Sequence, residues 1–171
     1  HPESFWRAYQ GALASFAKLT GPEIVRKVKL RTPPKRLLDV GGGHGRYAAA
    51  MCSKVDGLVA DVFDLPPACE QGRRIQEEDG TTDRVRFVEG DFRTDDWGSD
   101  YDLVFAFNVT HNATAEEVRG LMGKARGALN PGGSLVIMDA VHRGEDGKLD
   151  ASAGWNELFF FVISGAQAWP E

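Results

Sequence analysis

Leu37-Leu38-Asp39-Val40-Gly41-Gly42-Gly43-His44-Gly45 is a short apolar run that ends in an acid and opens into four glycines around one histidine. The run is too short for a helix and follows Pro33-Pro34, so it reads as a buried parallel strand, with a helix starting at Arg46. Glycines at such a junction let the backbone approach a ligand closely, and the first N–H groups of the following helix are open to it. A nucleotide-like cofactor is therefore expected here.

Outward from this stretch, helix and strand alternate. Strands are expected at 36–40, 58–62, 85–89, 103–107 and 134–139, and helices at 46–53, 67–78 and 115–129. Asn130-Pro131-Gly132-Gly133 reads as a helix stop and turn before the fifth strand. Phe5, Tyr9, Leu13, Phe16 and Leu19 recur at helical spacing, which predicts an amphipathic N-terminal helix docking through that stripe. The order implies an α/β fold, Rossmann-like and doubly wound, with a mostly parallel sheet covered by helices on both faces. One domain over 1–171 is expected, with an N-terminal helical segment (1–35), a cofactor-binding core (36–140) and a C-terminal helical segment (141–171). In the last, Trp155, Leu158, Phe159, Val162 and Ile163 form a core stripe, leaving Phe160 and Phe161 for an acceptor pocket or a subunit contact.

Composition narrows the function. The chain is 42% hydrophobic and 26% charged, with net charge −5 and a pI near 5.4, so it lacks the positive field that nucleic acid or an anionic membrane calls for. The basic cluster of Arg26, Lys27, Lys29, Arg31, Lys35 and Arg36 reads as a solvated face. No apolar stretch approaches the about 20 residues of a membrane span, and the start His1-Pro2-Glu3-Ser4-Phe5-Trp6 has no signal-peptide pattern, so a cytoplasmic location is expected. Cys52 and Cys69 lack metal or disulfide spacing and read as free thiols; no metal site is expected.

Ligands of doubly wound sheets bind beyond the carboxyl ends of the strands. The expected ends are Asp39; Asp61 and Asp64; Glu89 and Asp91; Asn108 and His111; and Asp139. Each is also a common turn or cap residue, but five polar ends together point to a site. Gly43-His44-Gly45-Arg46-Tyr47-Ala48 fits the dinucleotide pattern G-x-G-x-x-A, with Asp61 or Asp64 at the ribose position. Against this, Asp39 with Gly41, Gly43 and Gly45 sets a carboxylate where it would repel a pyrophosphate but suit a ligand carrying an ammonium and a sulfonium. S-adenosylmethionine carries both.

Together with Phe63-Asp64-Leu65-Pro66, Gly90-Asp91-Phe92, Val109-Thr110-His111-Asn112 followed by Glu116-Glu117, and Pro131-Gly132-Gly133, the glycine stretch resembles the class I S-adenosylmethionine-dependent methyltransferases. Within that class the chain is similar to the small-molecule O-methyltransferases of plants and bacteria. The resemblance implies that Gly41, Gly43 and Gly45 face the methionine end with Asp39, that Asp64 and Leu65 hold the ribose, and that Asp91 and Phe92 flank the adenine. Asn108 joins the same cofactor set. His111 stands at the family's general base, with Asp139 to orient it. The implied product is S-adenosylhomocysteine.

The chain also departs from the family. Ala113 stands where the family carries Trp, and Ser164-Gly165-Ala166-Gln167-Ala168 replaces a second catalytic acid. His111 is thus open to two readings, a base or a loop histidine with a local hydrogen-bonding role, since holding an acceptor close and aligned supplies much of such a rate by itself. The family's N-terminal dimerisation domain and final strand pair have no counterpart in this sequence, so a homodimer, or completion by segments outside it, is expected. The leading reading is O-methylation of a small hydroxylated aromatic or polyketide-like metabolite. A non-catalytic S-adenosylmethionine-binding module, serving as scaffold or regulatory subunit, is the alternative, and a dehydrogenase the third.

Overall fold

The structure, a computed structural model, describes residues 1–139. Its elements run α1 (Glu3–Lys27), β1 (Arg36–Val40), α2 (Arg46–Lys54), β2 (Val59–Asp64), α3 (Pro66–Asp79), a 3-10 turn (Thr82–Arg84), β3 (Val85–Glu89), β4 (Tyr101–Phe107), a second 3-10 turn (Thr110–Asn112), α4 (Ala115–Ala128) and β5 (Leu129–Met138). The five strands lie in the order β3-β2-β1-β4-β5, and every pair is parallel. This is the α/β sheet expected.

Side-chain alternation along the strands splits the core into two layers. Leu37, Val62, Leu103 and Phe105 pack under α1 and α2 with Ala17, Val25, Tyr47 and Met51. Leu38, Val40, Phe63 and Val104 pack under α4 with Leu121, Ala125 and Ala128. Helix ends follow local chemistry. Pro66 and Pro67 open α3 and Gly80 closes it in the left-handed conformation. Thr114 and Glu117 form a reciprocal capping box on α4.

Four expectations need correction. The first is the docking face of α1, which buries Gln10, Ala14, Ala17, Gly21 and Val25, while Phe16 and Leu19 are 60% and 82% exposed. Small side chains let the helix lie close to α2, where a Cβ on Gly21 would sit 3.7 Å from the Tyr47 ring. The second is Asn130-Pro131-Gly132-Gly133, which lies inside β5 rather than ahead of it. The register shifts between Tyr101 and Leu103 opposite this segment, Gly132 takes φ +83, and β5 is one of the two edge strands of the described sheet, where a proline's missing N–H is tolerated.

The third is Asp61, which is not a strand end but sits mid-strand, level with Leu38. Its carboxylate accepts from Arg36 at 3.2 Å and from the Tyr101 hydroxyl at 3.0 Å, and pairs with Arg86 at 3.0 Å. The fourth follows in part, because Arg36, although its side chain is 37% exposed, is engaged with Asp61 and stacks over Tyr101 at 4.5 Å instead of standing free on a solvated face. Cys52 and Cys69 are buried free thiols. The expected stripe at 154–168, with Phe160 and Phe161, lies outside the described residues.

Candidate active site

Strand β1 lies between β2 and β4, so the chain leaves it in opposite directions and a crevice opens at the carboxyl ends. A cleft of about 410 Å³ occupies that crevice. Its floor is Asp39 with Gly41, Gly42, Gly43 and His44, and its sides are Asp64, Leu65, Phe92, Asn108 and Val109. Phe5, Trp6, Tyr9, Gln10 and Leu13 of α1 form the remaining wall. Of the residues assigned to the cofactor from sequence, Gly45 and Asp91 do not line this cleft.

The glycine loop is shaped for close approach. Gly41 has φ +66, and a Cβ there would lie 2.3 Å from Val109 Cγ1. Gly43 has φ +45 and sits beneath the Gln10 amide, and its N–H donates to Asp64 Oδ2 at 2.8 Å. Gly45 caps α2 in the left-handed conformation. His44 Nδ1 accepts from Arg46 N at 3.1 Å, and burial drives its pKa down to about 4, so the ring stays neutral.

Two carboxylates set the electrostatics. Asp39 is fully buried, and neither of its oxygens has a hydrogen-bond partner. Burial first, then the charge of Asp64, push its pKa up to about 7; the nearby Ala48 amide, short of hydrogen-bond geometry, offsets this only in part. Asp64 accepts from Leu65 N at 2.7 Å as well as from Gly43. Burial raises it to about 6, against the pull of those two amides. Two acids, one with no donor, beside an apolar wall fit a ligand that brings positive charge and N–H groups. They oppose a pyrophosphate.

The β3–β4 loop is pinned from α4. Lys124 Nζ donates to the carbonyls of Phe92, Arg93 and Asp95 at 3.1, 2.7 and 2.8 Å, and Trp97 Nε1 donates to Phe92 O at 2.9 Å. This holds the Phe92 ring at the cleft. Asp91 turns inward on its own loop, Oδ1 accepting from Arg93 N at 2.9 Å. Asn108 takes φ +55, and its N–H donates to Met138 O at 2.7 Å.

His111 and Asp139 come together as the sequence suggested. His111 Nδ1 lies 2.7 Å from Asp139 Oδ1. Asp139 Oδ2 accepts from Thr110 N at 2.8 Å, Thr110 Oγ1 at 2.5 Å and His111 N at 3.1 Å, which fixes the carboxylate. A carboxylate only accepts, so Nδ1 carries the proton and Nε2 is the basic nitrogen. The His111 side chain is buried and that of Asp139 half-buried, and neither lines the cleft, which their neighbours Asn108 and Val109 reach.

Sequence reasoning missed the contribution of α1. Phe5 stacks on Tyr9 at 5.7 Å, with Trp6 edge-on to both. The tyrosine hydroxyl is pushed above its ordinary pKa by burial and then by Asp64. The aromatic spacing was visible, but it pointed to a docking face. Gln10 and Lys124 carry no motif at all.

Comparison with known proteins identifies the family. The chain is 31% identical to the 3-hydroxy-5-methyl-1-naphthoate 3-O-methyltransferase of Streptomyces sahachiroi, over 88% of this chain and 43% of that one. It is 29% identical to the L-tyrosine C(3)-methyltransferase of Streptomyces lavendulae, over 92% and 42%. A crystal structure of an O-methyltransferase family 2 protein from Planctomyces limnophilus, in complex with apigenin, superposes with a TM-score of 0.84 at 25% identity, covering 98% of this chain and 52% of the other. The chain therefore spans about half the length of the relatives it matches. The family model described as the O-methyltransferase domain matches residues 1–167, and the chain belongs to this O-methyltransferase family.

Proposed function

We propose that this chain carries the cofactor-binding and catalytic core of an S-adenosylmethionine-dependent methyltransferase acting on a hydroxyl of a small aromatic or polyketide-like acceptor. The observation that carries the reading is Asp39, a buried carboxylate with no donor, facing the glycine cradle beside Asp64. When bound, S-adenosylmethionine supplies the electrophilic methyl group on its sulfonium. Asp39 and Asp64 supply the countercharge, Gly41 and Gly43 admit the methionine end, and Gly45 sets the start of α2 behind them. Asp64 and Leu65 take the ribose, and Phe92 covers the adenine from the loop that Asp91 braces. Asn108 closes the side next to β4.

In this reading the aromatic wall of Phe5, Trp6 and Tyr9 orients the acceptor. His111 is the group that takes the proton of the acceptor hydroxyl, whose pKa of ~10 leaves it scarcely ionised at neutral pH. Since its ring lies behind Asn108 and Val109 rather than on the cleft wall, the acceptor hydroxyl has to reach past them. Asp139 holds the ring and stabilises its protonated form. The C(3)-methyltransferase name of one relative shows that the accepting atom varies among similar proteins, and the naphthoate relative favours oxygen here.

The reading further takes 1–171 as one cytoplasmic domain that works as a homodimer or is completed by segments of a longer chain. Light scattering on the purified protein tests the assembly. Among the described residues no helix is long and apolar enough to cross a membrane.

Calorimetric titration with S-adenosylmethionine, S-adenosylhomocysteine and, as control, NAD tests the cofactor. Turnover on a panel of phenols and hydroxylated polyketides tests the chemistry. Selective micromolar binding with methyl transfer is the expected result. Binding with no transfer to any acceptor would favour a non-catalytic module, and binding of NAD alone would overturn the cofactor.

A further inference from the structure

Gln10 lies on the inward face of α1 and is 3% exposed. Its place is fixed by its neighbours. Ala14, Ala17 and Gly21 continue the buried face, and Arg46 donates to Ala14 O at 2.6 Å while forking onto Asp79 at 2.6 and 3.0 Å. The turn of α1 that follows Gln10 is thereby tied to the helix that leaves the glycine loop. The Gln10 amide rests on that loop, so that a Cβ on Gly43 would lie 2.5 Å from Oε1 and 2.9 Å from Nε2.

Gln10 Oε1 has no hydrogen-bond partner, and neither has Asp39 Oδ1 or Oδ2. All three are buried acceptors of residues that line one cleft. Buried acceptors without donors are unfavourable, and proteins retain them where a ligand supplies the donors. Three acceptors call for a cation with several N–H groups, and a primary ammonium fits. An amide differs from one more carboxylate in carrying N–H donors beside its oxygen. It therefore complements an ammonium with an anionic group next to it, which describes the head of an α-amino acid.

We propose that Gln10 recognises the amino-carboxylate end of the cofactor's methionine, Oε1 accepting from the ammonium and Nε2 donating to the carboxylate. The proposal rests on the S-adenosylmethionine reading. It makes α1 part of the cofactor site as well as of the acceptor wall. It also accounts for a polar side chain in a row of alanines and glycine.

The test compares S-adenosylhomocysteine with 5′-methylthioadenosine, which keeps the adenosine and thioether but lacks the amino-carboxylate. Calorimetry on the full chain and on Gln10→Met, which preserves length and packing, reads both affinities. The variant is expected to bind S-adenosylhomocysteine about tenfold or more weakly, the loss typical of hydrogen bonds to charged groups, with 5′-methylthioadenosine unchanged within about twofold. Gln10→Glu, which keeps an acceptor but brings a negative charge against the ligand carboxylate, is expected to lose at least as much. Gln10→Ala replaces the Met variant if that does not fold.

Equal weakening of both ligands would reduce Gln10 to a support of the loop, and no change in either would remove it from the site. A native chain that binds S-adenosylhomocysteine no better than 5′-methylthioadenosine would overturn this proposal while leaving the cofactor class intact. A native chain that binds neither would overturn both.

Discussion

Replacing Asp39 by Asn separates what this carboxylate does for binding from what it does to the fold. Its folded-state pKa of about 7 stands against an ordinary value of 3.8. At about 1.4 kcal/mol per tenfold change in proton affinity, that difference corresponds to about 4 kcal/mol. The sign follows from the raised value. The folded state holds the proton more tightly than the unfolded chain, so the stabilisation is complete below the unfolded value and is lost as pH climbs through about 7. At pH 8 the ionised group is a burden on the unliganded protein.

Asn stays neutral throughout. Its own buried polar atoms remain unpaired, which takes back about 1–3 kcal/mol. A net gain of about 1–3 kcal/mol at pH 8 is expected, shrinking to nothing or reversing near pH 4, where Asp39 is itself protonated. Urea unfolding followed by circular dichroism without cofactor, at both pH values, measures this. The same variant is expected to bind S-adenosylmethionine more weakly by calorimetry. A variant less stable than the native chain at pH 8 would refute the reasoning, because Asp39 would then support the fold rather than serve a ligand.

Further outcomes follow from the same geometry. Asp64→Ala is expected to weaken cofactor binding as its primary defect, and an unchanged Kd would remove it from the site. Cofactor affinity of the native chain is expected to fall as pH drops through about 7 and then through about 6, as Asp39 and then Asp64 take up protons and the cleft loses negative charge; an affinity flat from pH 8 to 5 would contradict this. His111→Gln is expected to lower kcat roughly 10²- to 10⁴-fold with cofactor affinity kept, and a tenfold loss or less would leave the histidine a local role. Gly41→Ala places a Cβ against Val109 in a left-handed backbone, whereas Gly57→Ala at φ +74 meets nothing within 4 Å. The latter should show only the roughly 1–2 kcal/mol of backbone strain in thermal unfolding and the former distinctly more.

Much of this arrangement was legible in the residues. Strand β1 and the glycine turn stand where Pro33-Pro34 and the apolar run place them, and β3 spans Val85–Glu89 as expected. Asp39, Asp64, Phe92 and Asn108 do gather on one cleft. The misreadings have physical causes. Hydrophobicity at helical spacing cannot tell a face that meets the core from one that meets a cleft, and the true seat of α1, built on alanines and Gly21, is inconspicuous because small residues dock by proximity. Asp61 and Asp64 are three positions apart, and only the pairing of Leu38 with Asp61 shows which belongs to the interior of the sheet. Pro131 and the glycines after it look like a turn unless the strand is known to lie outermost. Gln10 was invisible because a single amide acquires meaning only from what its fold sets beside it.

The two sides of α1 have a consequence for how such a protein can diversify. One side, with Ala14, Ala17 and Gly21, is buried against the sheet's helical cover. The other turns Phe5, Trp6 and Leu13 toward the cleft without burying them in the core. Substitutions there can reshape what the cleft admits while the strands, the glycine turn and both acids stay where they are. If the proposed function holds, the acceptor range is then free to drift from one lineage to another, or under selection in the laboratory, at little risk to folding.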